Sequence, residues 1–232
     1  MGASRPLIIA IDGPAGSGKS TIAARLAKKL GYMNLESGAM YRALALKALL
    51  QHVSLDDPIA LRHLADETVI GLAPQSDKNR VQLDGLDVSQ RIREADVTLA
   101  ASKVSVHPSV RELMVHRQRE MGARGRVVME GRDIGTAVFP DADVKIFLDA
   151  DARIRAERRV AENGNHSPEE AKRIVEELVQ RDQRDRTRAV SPLVPARDAV
   201  ILDSTNLSLD EVLSRVEEIV LSKLGRNSEP PR

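Results

Sequence analysis

Cysteine and tryptophan are both absent from this chain of 232 residues. Without thiols there is no disulfide framework, no thiolate zinc site and no cysteine nucleophile, a composition that suits a reducing cytoplasm. Aromatics are nearly missing: Tyr32, Tyr41, Phe139 and Phe147 are the whole set. A surface that stacks the bases of single-stranded nucleic acid needs more of them. No sign of charge dominates either, with 35 Lys and Arg against 34 Asp and Glu, so no net field favours nucleic acid or a membrane surface. No apolar run reaches membrane-spanning length, and the N-terminus enters an expected strand almost at once. The five histidines (52, 63, 107, 116 and 166) lack a ligand spacing such as H-E-x-x-H, so no zinc site is assigned. The length fits one α/β domain with insertions, large enough to bury its own core without disulfides or a structural metal.

What is present begins at Leu7-Ile-Ile-Ala-Ile11, an apolar run followed by Gly13-Pro14-Ala15-Gly16-Ser17-Gly18-Lys19-Ser20 and then the helical pattern from Thr21 to Leu30. Strand, glycine-rich turn and helix form the context that defines a P-loop, G-x-x-x-x-G-K-[ST]. Glycines let the backbone curl around phosphates, and successive N–H groups with the helix N-terminus supply positive charge. Lys19 is expected on the β- and γ-phosphates, and the Ser20 hydroxyl on Mg²⁺. Residues 13–21, through Thr21, are therefore expected to bind the phosphates of ATP.

Farther along, apolar runs at 32–35, 126–129, 144–148 and 199–202 alternate with helical patterns, which predicts a parallel sheet flanked by helices. Asp56-Asp57-Pro58 predicts a helix start with Pro in the first turn, and Ser167-Pro-Glu-Glu170 a capping box. Between Thr68 and Asp87 the texture changes to short strands with an Asp84-Gly85 turn, which predicts a small antiparallel insertion. The chain thus reads as one P-loop domain over 1–225. Its core is 5–67 and 95–225, the insertion about 68–94, a helical lid about 151–190, and 226–232 a disordered tail. Polar and arginine-rich residues follow successive strands: Ser37, Tyr41 and Arg42 after the second, and Glu130, Arg132 and Asp133 after the third. Arg181, Arg184, Asp185, Arg186 and Arg188 are expected beyond the helix that starts at Ser167. Ligands of such sheets bind outside the carboxyl ends of the strands. Clustered arginines there fit a small phosphorylated acceptor.

Glu36-Ser-Gly-Ala-Met-Tyr-Arg42, Glu130-Gly-Arg-Asp-Ile-Gly-Thr136 and Arg184-Asp-Arg-Thr-Arg-Ala-Val-Ser-Pro-Leu193 resemble the bacterial cytidylate kinase family, in order and from Leu7 to about Val220. Glu36 and Glu130 stand where that family often has Asp, and both keep the carboxylate. The resemblance implies ATP-dependent phosphorylation of CMP and dCMP with Mg²⁺, while the balanced charge, the few aromatics and the lack of a membrane-length or exposed apolar stripe predict a cytoplasmic monomer that binds neither nucleic acid nor membrane. It further implies that Ser102, Arg111 and Asp133 read the cytosine edge, and that Arg181 and Asp185 hold the ribose. Arg42, Arg132 and Arg188 would grip the acceptor phosphate, with Ser37 and Tyr41 lining its pocket. Among Arg153, Arg155, Arg158 and Arg159, the resemblance suggests donor-phosphate contacts, and Arg158 is the expected one. Glu130 would orient a water on Mg²⁺ or partner Lys19.

By pattern alone several of these residues have plainer readings. Ser102 would be a helix residue bonded to its own backbone, and Arg111 a charge on an amphipathic helix. Arg42, Arg132 and Arg188 would be surface ion pairs, each contributing about 0–1 kcal/mol. Arg181 and Asp185 would sit on a solvated helix face. The same core also serves other small-molecule kinases and non-enzymatic nucleotide switches, which differ in acceptor-dependent turnover.

Overall fold

The computed structural model describes residues 6–75, 78–162 and 167–226. The expected helix stop at Asn163-Gly164, His166 and the tail from Asn227 lie outside them. Five parallel strands form the central sheet: β1 (Ile8–Asp12), β2 (Met33–Glu36), β6 (Val127–Gly131), β7 (Val144–Asp149) and β8 (Val200–Asp203). Their spatial order is β2-β6-β1-β7-β8. A second, antiparallel sheet is built from β3 (Ile70–Gln75), β4 (Lys78–Leu83) and β5 (Leu86–Asp87).

Strand alternation sorts side chains to the two faces of the main sheet. Ile9 and Ile11 of β1, Val128 of β6 and Ile146 and Leu148 of β7 pack on one face. They meet Ile22, Ala23 and Leu26 of α1 (Lys19–Leu30) and Val212, Val216 and Val220 of α8 (Leu209–Arg226). Ala10, Leu35, Val127 and Met129 point the other way, towards Ile134 and Val138 of a short turn at 134–138 and Val115 of α5 (Pro108–Gly122).

The segment between β2 and β6 makes a lobe of its own. α2 (Ser37–Leu50), α3 (Pro58–Asp66), α4 (Ala95–Val104) and α5 share one cluster with Val81 and Leu83 of the small sheet. Asp57 caps α3, accepting from the N–H groups of Ile59 and Ala60, and Pro58 takes the first helical position. That is the signal its sequence carried. The expected turn at Asp84-Gly85 joins β4 to β5 with both residues at positive φ, as a two-residue hairpin of the primed type requires.

After β7 the chain forms α6 (Ala152–Glu162) and α7 (Pro168–Thr187). Ser167 and Glu170 cap α7 reciprocally. One expectation needs correction: Arg181, Arg184, Asp185 and Arg186 lie on α7 itself, which continues to Thr187, and only Arg188 follows it. The charge-dense run 181–187 contains no Gly or Pro to stop a helix, so the helix carries through it. At the sheet's centre, β1 pairs with β6 on one side and β7 on the other. This is the switch point of the topology, and the P-loop leaves from it.

Leu44 is fully buried in the lobe cluster. Leu44→Ala is expected to cost about 3 kcal/mol, the usual loss for a buried leucine. It should appear as a lower urea midpoint with an unchanged m value.

Candidate active site

The loop from Gly13 to Gly18 is shaped by how closely other backbone approaches it. Gly13 has φ +154°, and a Cβ there would stand 2.1 Å from the carbonyl oxygen of Leu148. At Gly16, φ is +76° and a Cβ would meet the carbonyl of Arg155 at 2.7 Å. Only glycine serves both positions. From α7, Asp182 accepts the Ala15 N–H (3.3 Å), while Arg155 of α6 donates to the Ala15 carbonyl (3.0 Å) and pairs with Asp182. Arg155 and Asp182 thus clamp the loop's tip from α6 and α7. Nothing in the sequence pattern marks that pair, because their partner is backbone.

Lys19 opens α1 and is buried. Its Nζ donates to the Pro14 carbonyl (3.0 Å) and stands 4.0 Å from Glu130 Oε2. Burial, and then the neighbouring Arg132 guanidinium, push its pKa down to about 7. Ser20 donates its hydroxyl to Glu130 Oε1 (3.1 Å), which joins the end of β6 to the first turn of α1.

Across the cleft, Arg111 of α5 and Ser102 of α4 are both buried, so Arg111 is not a charge on a helix surface. Arg111 pairs with Asp133 and donates to the Ser105 carbonyl (3.1 Å). Its guanidinium carbon lies 5.6 Å from the centre of the Tyr41 ring, a cation–π arrangement. Ser102 Oγ accepts from Arg184 Nε (3.0 Å). Arg188 Nη2 is 3.5 Å from Asp133 Oδ1, and its Nε donates to the Ser191 carbonyl (2.5 Å).

Arg132 donates to Asp185 Oδ2 (2.9 Å). Burial opposes ionisation of Asp185, but Arg132, Arg181 and Arg188 outweigh it and hold the carboxyl below its ordinary range. Arg181, crowded by burial and then by Arg132, is pushed down to about 10. Glu36 likewise stays ionised against burial, because Arg42 (2.5 Å) and Arg93 (3.5 Å) both bond it. Asp12, ending β1, accepts the N–H groups of Ile134 and Gly135, yet burial pushes it up to about 7.

Most of these groups, though not Asp12, face one cleft of about 960 Å³. Its lining includes Gly16, Gly18, Lys19, Ser20 and Thr21 on the P-loop side. Ser37, Tyr41, Arg42, Ser102, Arg111, Arg132, Asp133, Arg181, Asp185 and Arg188 line the rest. Several carry buried atoms with no hydrogen-bond partner among the described residues: Tyr41 OH and the Nε atoms of Arg42, Arg111 and Arg181. Buried polar groups are rarely left so, and a cluster of them in one cleft marks a place for a polar ligand. Arg158 is not in the lining. It donates to Ser204 Oγ (3.1 Å) and to the Ser204 carbonyl (2.6 Å), while its neighbour Arg159 faces the cleft. Arg93 also lines the cleft, and no motif announced it.

A parallel sheet with a P-loop at its switch point, facing a lobe of buried arginines across one cleft, is the architecture of a P-loop kinase. A profile of the cytidylate kinase family matches residues 9–222. The cytidylate kinase of Geobacillus sp. (strain WCH70) is 50% identical over 218 residues, covering 94% of this chain and 97% of that one. That of Desulforamulus reducens (strain ATCC BAA-1160 / DSM 100696 / MI-1) is 49% identical over 209 residues, 90% of this chain and 94% of the other. That of Ligilactobacillus salivarius (strain UCC118) is 46% identical over 219 residues, with 93% and 97% covered. The chain belongs to the cytidylate kinase family.

The depressed pKa of Lys19 has a consequence for stability. The folded, nucleotide-free state resists protonating Lys19, so its burden is full below about pH 7 and fades as pH rises towards the ordinary lysine range. Lys19→Met is therefore expected to raise the Tm of the nucleotide-free protein, and by more at pH 6.5 than at pH 9.5. Thermal melts across pH check it. An equal shift at both pH values would mean that the ammonium is not under strain.

Proposed function

We propose that the protein transfers the γ-phosphoryl group of ATP to an α-phosphate oxygen of CMP or dCMP, releasing ADP and CDP or dCDP. The observation that carries this reading is the buried Arg111–Asp133–Arg188 group beside Ser102, facing Lys19 across the same cleft. Cytosine offers an amino donor at N4 where uracil offers a carbonyl acceptor, so the Asp133 carboxylate favours the first and repels the second. Arg42, Arg132 and Arg188 take the acceptor phosphate, Arg181 and Asp185 the ribose, and Ser37 and Tyr41 the pocket wall.

The attacking oxygen is already anionic, so no general base is needed. The bond from the γ-phosphorus to the bridging oxygen of ADP breaks as the bond to the acceptor oxygen forms. Catalysis is then positioning and charge neutralisation. Lys19 and Arg132 supply cations, and the phosphates supply the countercharge that the buried Lys19 ammonium lacks. Because Arg158 is engaged by Ser204, the donor-side arginine of the lid is assigned to Arg159, and Arg158 braces the loop behind the P-loop. Ser20 Oγ and Glu130 present hard oxygens beside the P-loop, a donor set that fits Mg²⁺ shared with phosphate oxygens and water. When bound, Mg²⁺ neutralises charge on the transferring phosphoryl group. Water has to be excluded, so the insertion at 68–90 and the lid at 151–190 close over both nucleotides. Hydrogen exchange should slow in both segments only when both substrates are present. The enzyme is read as a monomer working in the cytoplasm on free nucleotides.

The test is ADP release from ATP·Mg²⁺ with CMP, dCMP, UMP, AMP or shikimate offered in turn. Release with CMP and dCMP far above the rest is expected, and equal CMP and UMP would remove Asp133 as the discriminator. Asp133→Asn keeps the shape beside Arg111 but loses the charge. It should raise KM for CMP by roughly ten- to a hundred-fold while KM for ATP moves little. Lys19→Ala should instead cut turnover strongly with CMP binding largely intact, and near-normal turnover would take Lys19 out of the mechanism.

A further inference from the structure

We infer that Asp12 is a positioning residue for acceptor recognition, holding the turn that carries Arg132 and Asp133 in fixed register with the strand that carries the P-loop. Asp12 is the last residue of β1 and precedes Gly13. In the sheet it stands opposite Gly131, the residue before Arg132. Its side chain reaches past that point to the turn at 134–138: Oδ1 accepts the Ile134 N–H at 2.8 Å and Oδ2 the Gly135 N–H at 2.7 Å. The rest of the turn is closed by its own backbone, with the N–H groups of Ala137 and Val138 both donating to the Asp133 carbonyl. Its first two amides therefore depend on Asp12.

The residue type follows from the geometry. Two consecutive buried N–H groups present two donors and no acceptor, and only a carboxylate offers a separate acceptor oxygen to each from one side chain. An apolar residue would leave both amides unpaired. An asparagine would satisfy one and set an NH₂ against the other. Two bonds in one carboxylate plane also fix the turn's orientation, which a single bond does not. Asp133 is the residue just before Ile134, so a tilt of this turn moves the Asp133 carboxylate relative to Arg111 and Arg188. Asp12 thereby ties the base-reading carboxylate to the strand end from which the donor loop departs. It touches neither substrate in this assignment, and its effect runs through Asp133 and Arg132.

The inference rests on the reading of Asp133 as the cytosine discriminator, and the experiment separates the two. Steady-state kinetics with CMP, UMP and ATP are run on the wild type, Asp12→Asn and Gly135→Ala, with Tm measured for each. Gly135→Ala crowds the same contact without removing the charge: its Cβ would lie 3.4 Å from Asp12 Oδ2 and 3.2 Å from Lys145 Cδ. Asp12→Asn is expected to raise KM for CMP and to reduce the CMP-over-UMP preference by roughly ten-fold, with KM for ATP changed less than about two-fold. Gly135→Ala should shift the preference in the same direction by less. If the wild type has no CMP preference, the reading of Asp133 fails. If the wild type prefers CMP and both variants keep that preference, the positioning role fails. A lower Tm with the nucleotide preference intact, or equal losses for CMP and ATP, would reduce Asp12 to a structural residue and overturn the inference. Should Asp12→Asn not fold, the preference of Gly135→Ala decides.

Discussion

Buried positive charge in excess of its carboxylate partners is the constraint around which this molecule is arranged. Lys19, Arg132, Arg181 and Arg188 crowd Asp185 and Glu130, while Arg42 and Arg93 share Glu36. The shifts of Glu36, Asp185, Lys19 and Arg181 agree with that imbalance, while Arg132 and Arg111, each beside a carboxylate, are held up. Each carboxylate among Glu36 and Asp185 is held ionised against burial, whereas Lys19 and Arg181 are pushed down by burial and by each other's neighbours. A site left in this condition is stabilised by anything polyanionic that enters it. The sheet topology already opens a crevice at this place, where ligands of such sheets bind.

Such a site can be held together only if the surrounding structure resists repulsion, and the linkages that do this run between distant parts of the chain. Asp185 belongs to α7 but receives Arg132 from the end of β6. Asp182, one turn earlier on α7, receives the P-loop amide of Ala15 and the guanidinium of Arg155 from α6. One continuous helix therefore touches the P-loop through one carboxylate and the end of β6 through another. This couples those two strand ends mechanically through α7. It also explains why α7 has to run unbroken through its charged end: a stop before Asp185 would separate the two contacts.

Much of this was legible in the sequence, and the limits of legibility are physical. The P-loop, the strand-helix alternation, the antiparallel insertion and the caps at Asp57 and Ser167 all rest on local chemistry, and local chemistry is what a sequence displays. Neighbouring arginines on a helix are a different matter. Arg158 and Arg159 sit about 100° apart around α6, and which one faces the cleft depends on how the helix packs. That packing turns Arg158 to Ser204. Ser102 and Arg111 looked like ordinary helix residues because burial of a charged or polar side chain leaves no periodic trace when its partner, Asp133 or Arg184, is remote in the chain. Arg155 and Asp182 were invisible for a related reason, since their target is the Ala15 backbone.

Asp12 is the instructive intermediate case. An acid closing an apolar strand is a visible irregularity, for Leu7-Ile-Ile-Ala-Ile11 needs no charge to form a buried strand. A buried carboxylate opposed by burial persists only where its oxygens replace bonds that nothing else can supply. Here those are two amides of a turn whose direction decides where Asp133 points. The P-loop glycines and the acid before them thus answer two different demands at one strand end. The glycines let backbone wrap an anion, and the acid holds the neighbouring strand's exit so that a second ligand can be read beside it. On this argument the donor and acceptor sites meet at the carboxyl end of β1 before either nucleotide arrives.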